Sequence, residues 1–411
     1  MITDQQIEVM ADRWPAVIVR FLPFLLIKIG APLKFTMIAF SVSYIIFQFI
    51  IFYLILHVFK SPRLALLQLL VLLLGCSQGF YWCNSELIQG MSVLILFKAY
   101  WDAHGTQWNS RHGLGFLFLG LVLLYIHPLV IFPLLFIFLY DAWRKTSIEK
   151  TSLLIGIGFS LLWVVKRWLD PNWYDRMKSG VFLKNLKKYE LDIWSTPAVD
   201  HFISAIWSNY HFVVLGLFMC IVILLFQKKY LLLAFTLIYV LAYTSIVFIS
   251  DPQISNKFYS EINFYPLVLI FFFVILHEID SIRFSAKAIQ LTISILIIVS
   301  LIRIGISHKT YTMHLAWINA QLDNSVCNKV MVDNEDIPDD IRLDNWSLPY
   351  ESLIQSHFAQ SNKSMHPIIN RFNKDNNYID SIFVTQFKLL EEGDFVNDYF
   401  VWPEGPYCRL E

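Results

Sequence analysis

Long apolar runs alternate with short polar segments along most of the chain. A helix that crosses a membrane needs about 20 mostly apolar residues. The clear runs of this kind are 36–59, 64–80, 152–169, 209–226, 230–249, 264–279 and 288–306. The stretch 87–101 is shorter, and 113–143 is one run that IHPLVIFP breaks into two helices, because a proline disfavours helical geometry in the residue before it. The pattern predicts an all-α polytopic membrane protein with about 10 or 11 transmembrane helices.

The pattern becomes polar from about residue 306 onwards. The short alternating pieces KVMVD and SIFVTQF predict strands, and YESLIQSHFAQ predicts a helix. We therefore expect residues 307–411 to form a small α+β domain. Cys327 and Cys408 both lie in it. They are able to pair if the domain lies in an oxidising compartment, and two free thiols are the alternative.

Composition supports the membrane assignment and excludes one class of partner. Charged residues make up 16% of the chain and hydrophobic residues 56%, whereas a soluble domain carries about 25% charged residues. The formal net charge is zero, which argues against a nucleic acid as partner.

The basic short loops predict the orientation, since Lys and Arg favour the cytoplasmic side. These loops are 60–63, 144–150, 227–229 and 281–287. With all four in the cytoplasm, the predicted spans place the remaining loops and the C-terminal domain on the extracytoplasmic face, in a bacterial inner (plasma) membrane. The outer segments are 76–90, the break at His127, 170–208, 250–263 and everything after about 306.

The N-terminal segment 1–35 does not fit this pattern well. It begins with polar residues, and the following RFLPFLLIKIGAPLKF carries Arg20 and Lys28. Residues 15–31 are either a poor membrane span or a helix in the outer interface. In the second case, we expect that a first transmembrane helix is missing from the chain.

Several ionisable residues interrupt the outer ends of apolar runs, and each has a structural alternative. Glu86 begins a predicted helix, where a carboxylate is favoured by the helix dipole; at membrane depth it could equally mark a substrate path. His127 is either a packing residue or a substrate contact. Lys257, Glu261 and Tyr265 lie in SDPQISNKFYSEINFYP, which is either an ordinary polar loop or part of a site.

The predicted outer loop 170–208 and the residues just before it are unusually basic. The seven cations are Lys166, Arg167, Arg176, Lys178, Lys184, Lys187 and Lys188. Aromatic residues are interleaved with them, and aromatic rings prefer the membrane interface. Such a segment is suited to holding a lipid phosphate. The alternative is an anchor for anionic lipids without catalysis.

Three short motifs carry a resemblance to a known family. DQQIEVMADRW followed by RFLPFL, then NSELIQG, then IHPLVIFP resemble segments of the GT-C superfamily of integral-membrane glycosyltransferases. The resemblance covers roughly residues 1–306. It implies an outer-face active site, a polyprenyl-phosphate-linked sugar as donor, an acceptor that is a glycan, lipid or protein, and a role in cell-envelope glycan or glycolipid synthesis.

The resemblance also implies roles for particular residues. A carboxylate activates the acceptor hydroxyl, and cations stabilise the departing phosphate. Asp4 is the first candidate for the base, with Glu86 and Glu261 next. Arg20, Lys166 and Arg167 are candidates for the phosphate. His127, Lys257 and Tyr265 are further substrate contacts, and a divalent metal is left open, with no ligand set evident.

Two alternatives remain open on the sequence. ELIQGMSVLIL and IHPLVIFPLL also suit a polysaccharide polymerase or ligase of the O-antigen type, although the polar C-terminal region fits that group less well. A non-enzymatic transporter or assembly scaffold is the other class. Transporters commonly place charges within their spans and show repeated halves; here the charges cluster at one surface, the long helices carry few, and no repeated halves are visible.

Overall fold

The structure of the protein is a computed structural model. It describes residues 7, 9–81, 85–105, 110–144, 150–170, 172–253, 257–279, 285–333, 336–338, 340–342, 347–360, 363–367, 379–385, 388–392 and 399–409.

Helices dominate the described part of the chain. They are α1 (Val17–Lys28), α2 (Leu33–Tyr53), α3 (Pro62–Gly75), α4 (Glu86–His104), α5 (Ser110–Ile126), α6 (Ile131–Arg144), α7 (Lys150–Leu169), α8 (Trp173–Tyr189), α9 (Pro197–Asn209), α10 (His211–Phe226), α11 (Tyr230–Ser250), α12 (Lys257–Glu278), α13 (Ala286–Asn324) and α14 (Leu348–Phe358). A π-helical turn extends α2 to Val58. Apolar side chains from many of these helices form one large core, in which α4 and α12 are buried along most of their length.

Five helical stretches among the described residues are long and apolar enough to cross a membrane. They are Leu33–Val58, Lys150–Leu169, Tyr230–Ser250, Ser260–Glu278 and Lys287–Asn324. Helices α9 and α10 meet at a bend of 91° and pass the same test only as a pair. The helical architecture expected from the sequence is therefore present, although the five such stretches among the described residues, or six with the bent pair, are fewer than the 10 or 11 spans that the sequence predicts.

The helix bundle has two ends, which contacts between distant segments define. At one end, Arg303 of α13 donates to the carbonyls of Leu73 and Asn209. We call it the Glu86 end, because α4 begins there. At the other end, Lys229 pairs with Glu278, and Arg144 Nη1 donates to the His277 carbonyl. We call this the Glu278 end, and the segments flanking the basic loops 144–150, 227–229 and 281–287 lie at it.

Helix boundaries differ from the sequence prediction in two places. Helix α12 begins at Lys257 rather than near 264, so Glu261 and Tyr265 lie within a helix and not in a polar loop. The predicted outer loop 170–208 contains two helices, α8 and α9. Asn172 caps the start of α8 by accepting a hydrogen bond from the Asp175 amide, 2.8 Å away. A hydropathy plot does not show such a cap. The break between α5 and α6 at His127 and Pro128 is confirmed.

Helix α1 lies at the Glu86 end and does not cross the bundle. Its 12 residues are about 18 Å long, and contacts near both of its ends are to segments at or beyond the Glu86 end. Arg20 on its first half contacts Glu86. Its C-terminus turns into α2 through Gly30, whose φ of 71° is costly for other residues. The alternative of an interfacial helix is the one that this geometry supports.

Among the described residues, the C-terminal region combines helix α14 with five short strands, as the sequence predicts, although the predicted start at residue 307 lies within α13. Strand β1 (Lys329–Val332) lies between the parallel strands β2 (Ser364–Pro367) and β5 (Tyr407–Arg409). Strands β3 (Ser381–Thr385) and β4 (Lys388–Glu391) pair antiparallel. A disulfide joins Cys327 to Cys408, so the two cysteines pair.

Two supports carry this domain beyond the Glu86 end. Helix α13 continues past residue 306, and Ile318 and Leu322 on it pack against Val330 and Val332 of β1. In a second contact, Ile27 of α1 and Leu33 of α2 pack against the domain. The Tyr399 hydroxyl also donates to the Ala31 carbonyl, 2.5 Å away.

Close packing at the end of α3 gives a testable expectation for Gly75→Ala. A Cβ atom there would lie 2.7 Å from Cδ1 of the buried Tyr265 ring, so we expect a loss of about 1–3 kcal/mol of unfolding free energy from overpacking. Thermal unfolding in detergent micelles measures it. The matched control is Gly158→Ala in α7, where the new Cβ has no neighbour within 4 Å. Equal melting temperatures for the two variants would contradict this packing.

Candidate functional site

Glu86 is the centre of an ion-pair cluster at the start of α4. The preceding Ser85 caps the helix, since its Oγ accepts a hydrogen bond from the Leu87 amide. Glu86 Oε1 lies 2.9 Å from Arg20 Nη2, and Oε2 lies 3.3 Å from Arg13 Nη1. The Glu86 side chain is only 9% exposed. Charge-assisted pairs in such surroundings fix both guanidinium groups in place.

Arg13 also lines a cleft between the ends of α5 and α7 at the Glu86 end, which we call the basic cleft. Its lining residues are Ala11, Arg13, Leu124, Tyr125, His127, Pro128, Trp163, Lys166, Arg167 and Asp175. The cleft is small and partly open to solvent. One arginine therefore joins the Glu86 cluster to this cleft.

The cations of the basic cleft lie against aromatic rings. Lys166 Nζ is 4.3 Å from the centre of the Tyr125 ring, and the Arg167 guanidinium is 5.0 Å from that of Trp163. Arg167 also donates to the Asp175 carbonyl and to Ser179 Oγ. Ring faces hold a cation without neutralising its charge.

The basic cleft has an excess of positive charge. Three cations line it, of which Arg13 is ion-paired with Glu86, and Asp175 is the one lining carboxylate among the described residues. Asp175 Oδ2 is already engaged by the Asn172 amide at 3.1 Å. Within the described part of the chain, Lys166 forms no ion pair. Such a surface attracts an anion, and the guanidinium group of arginine matches phosphate geometry.

His127 shapes the wall of the basic cleft and caps the helical turn that follows it. Its Nδ1 accepts a hydrogen bond from the Leu129 amide at 3.2 Å. Burial, together with the nearby Arg13 charge, holds the pKa of His127 well below its ordinary value. The ring is therefore neutral near pH 7, so it contributes hydrogen-bonding capacity rather than charge.

Glu261 lies elsewhere at the Glu86 end and anchors the chain after α3. Its Oε1 accepts from the amides of Ser77 and Gly79, at 2.9 and 3.0 Å. Its Oε2 accepts from the Gln78 amide at 3.0 Å and from the Tyr210 hydroxyl. A carboxylate offers about four acceptor positions, and all are used here. Glu261 is placed to hold the backbone of 77–79 and has no position left for an acceptor hydroxyl.

Arg303 complements Glu261 from the opposite side. It donates to the carbonyls of Leu73, Leu74 and Cys76 at the end of α3, and to that of Asn209 at the end of α9. A cation is favoured at helix C-termini, where carbonyls lack partners. Glu261 and Arg303 together therefore stabilise the places where two helices stop.

The remaining predicted site residues are placed as follows. Tyr265 is 1% exposed and its ring lies against Gly75, so it is part of the core. Asp4 lies outside the described residues, and so does the side chain of Lys257. Of the predicted set, the structure brings Glu86 and Arg20 together in one cluster and His127, Lys166 and Arg167 in the adjoining cleft.

Sequence reasoning missed several residues that matter to this geometry. Arg13 joins the two clusters, although it reads as one charge in a polar N-terminal segment. Arg303 had a usable signal, because it is a cation within the apolar run 288–306 and such residues are rarely without a role. Asp175 and Trp163 had no signal of their own.

No group of three or more His, Cys, Asp or Glu side chains within the described ranges is placed to hold a metal ion. Comparisons with protein-family models, with curated proteins and with solved structures find no match for this chain.

Proposed function

We propose that the protein is a membrane glycosyltransferase that moves a sugar from a polyprenyl-phosphate donor to a hydroxyl acceptor at its Glu86 end. In this proposal the Glu86 end faces the extracytoplasmic side of a bacterial inner membrane. Ten helices cross, namely α2 to α7 and α10 to α13, whereas α1, α8 and α9 remain in the outer interface. The basic loops then all lie in the cytoplasm, as the positive-inside bias favours.

The observation that carries the proposal is the basic cleft. Lys166, Arg167 and Arg13 line it with one carboxylate between them, next to exposed apolar faces of α5 and α7, such as Phe118 and Leu162. A lipid-linked phosphate has an anionic head and an apolar tail. The cleft offers charge to the head, and the neighbouring helix faces offer apolar surface to the tail.

The reaction is a substitution at the anomeric carbon of the donor sugar. The acceptor oxygen forms a bond to that carbon while the bond from the carbon to the phosphate oxygen breaks. The polyprenyl phosphate leaves with the electron pair, and cations in the basic cleft stabilise its charge. The acceptor hydroxyl proton passes to a carboxylate, for which Glu86 is our candidate among the described residues, since every acceptor position of Glu261 is occupied.

Lys166→Gln tests the phosphate site, because Lys166 has a ring and no carboxylate as its partner. We expect the KM for a polyprenyl-phosphate sugar to rise about tenfold, as one charge contact to the phosphate is lost. Sugar transfer in proteoliposomes measures it, with Lys287→Gln at the Glu278 end as matched control. An unchanged KM in Lys166→Gln would show that the donor phosphate does not bind in the basic cleft.

The choice of donor separates the proposal from its alternatives. Turnover with a diphosphate-linked oligosaccharide, but not with a monophosphate-linked sugar, would instead identify a polymerase or ligase of the O-antigen type. Absence of transfer from every polyprenyl donor, in protein shown to be folded, would favour the non-enzymatic class.

A further inference from the structure

Helix α8 lies across the Glu86 end of the bundle. Near its start, the Asp175 carbonyl and Ser179 accept hydrogen bonds from Arg167, in the last turn of α7. Further along, Asn185 donates to the Ile249 carbonyl, in the last turn of α11. Both α7 and α11 are apolar stretches that stop at these points. The 17 residues of α8, about 25 Å of helix, therefore run along the level where the apolar spans end.

One face of α8 packs against the bundle and the other is a row of cations. Phe182 and Tyr189 pack on the large apolar core. Arg176, Lys184, Lys187 and Lys188 are all exposed on the opposite face. Arg176, Lys184 and Lys188 are spaced by eight and four residues, and Lys187 is three residues after Lys184, so all four lie along one side of the helix. We call these four residues the α8 cation row.

The α8 cation row has no compensating acid in the described structure. None of its members forms an ion pair with a described carboxylate; Lys188 contacts the Tyr189 ring and hydroxyl. Asp175, the acid at the start of the helix, is turned to Asn172 and the basic cleft. Like charges at this spacing repel each other on an isolated helix, so the row is more stable beside an anionic surface.

Exposed tryptophans indicate what that surface is. Trp168 and Trp173 flank the start of α8, and Trp194 and Trp207 follow it; their exposed fractions are 79%, 53%, 45% and 64%. Tryptophan in such numbers at one end of a helix bundle is typical of the level of lipid headgroups. These rings therefore favour a lipid surface over an acidic soluble protein as the partner of the α8 cation row.

We infer that the α8 cation row is a binding surface for anionic phospholipid headgroups. The four cations contact headgroup phosphates in the leaflet at the Glu86 end, while Trp168 and Trp173 anchor the helix at that level. The inference concerns lipid selectivity, and it holds whether or not the basic cleft binds a sugar donor.

The test measures how strongly the protein selects anionic lipid. Wild type and the variant R176Q/K184Q/K187Q/K188Q are reconstituted in phosphatidylcholine vesicles. The fraction of motionally restricted lipid is recorded with spin-labelled phosphatidylglycerol and with spin-labelled phosphatidylcholine. The control variant is R176K/K184R/K187R/K188R, which keeps the charge and changes every side chain.

We expect the wild type and the charge-conserving control to prefer phosphatidylglycerol, and the glutamine variant to lose at least about half of that preference. High salt is expected to reduce the wild-type value, because headgroup contacts are screened. The paired variants R176Q/K184Q and K187Q/K188Q are each expected to lose part of the preference. They provide the test if the variant with four substitutions does not fold. A glutamine variant with wild-type selectivity overturns the inference. So does a wild type that binds a soluble polyanion and shows no preference among lipids.

Discussion

Glu261→Gln is expected to lower the free energy of unfolding by about 3–5 kcal/mol, because it breaks a buried charge network and leaves its partners in place. Three backbone amides and the Tyr210 hydroxyl all point at the carboxylate. A glutamine turns one acceptor oxygen into an NH₂ group, which faces these donors. Arg303, which interacts electrostatically with Glu261, then lacks its counter-charge.

Thermal unfolding in detergent micelles measures this loss, with Glu391→Gln as the control, since Glu391 is an exposed carboxylate on β4. Tyr210→Phe is expected to cost less, about 1 kcal/mol, since it removes one donor and leaves the charge. We expect the double variant of Glu261 and Arg303 to lose less unfolding free energy than the sum of the losses in the two single variants. If Glu261→Gln has the same melting temperature as the wild type, the four contacts do not stabilise the segment after α3.

Glu86→Gln is expected to reduce sugar transfer by about 100-fold or more through kcat, the usual scale for removing a general base. Glutamine keeps the shape of the side chain and is unable to take the acceptor proton. Glu86 neutralises Arg13 and Arg20, and both arginines are partly exposed. Water can therefore solvate their charges in the variant, and the protein is expected to stay folded. Initial rates over a range of donor and acceptor concentrations separate kcat from KM.

Arg13→Gln is the informative comparison for Glu86→Gln. Arg13 lines the basic cleft, so its loss is expected to raise the donor KM and to leave kcat less affected. If Glu86→Gln also changes only the donor KM, then Glu86 acts by positioning Arg13 and another group takes the proton. A Glu86→Gln protein with wild-type kcat and KM would remove it from the site altogether.

The helices were largely predictable because hydropathy reports burial in lipid or in a core. The break at His127 and Pro128 was visible since proline leaves a local signature. The start of α12 was not, because Glu261 counts as polar in any window. Its burial depends on donors from Ser77, Gln78 and Gly79, more than 180 positions away, and no local pattern reports such a contact.

The site was predictable in part for a related reason. Lys166, Arg167 and His127 end or interrupt apolar runs, so orientation alone places them at one end of the bundle. The role of Arg13 depends on its contact with Glu86, 73 positions along the chain. Helix α8 was read as a loop because its cations and aromatic residues hide any simple apolar stripe. Its start depends on the Asn172 cap and its position on Asn185 and Ile249.

The two supports of the C-terminal domain have a mechanical consequence. Tyr44 on α2 contacts Ser85 at the Glu86 end, and from there α2 rises about 16 Å to Leu33. Ser307 on α13 contacts Ser77 at the same end, and α13 rises about 25 Å to Asn324. Two helices therefore connect the domain to the bundle. Their lengths fix its distance from the Glu86 end, and changing that distance requires unwinding one of these helices or releasing the contact of Ile27 and Leu33.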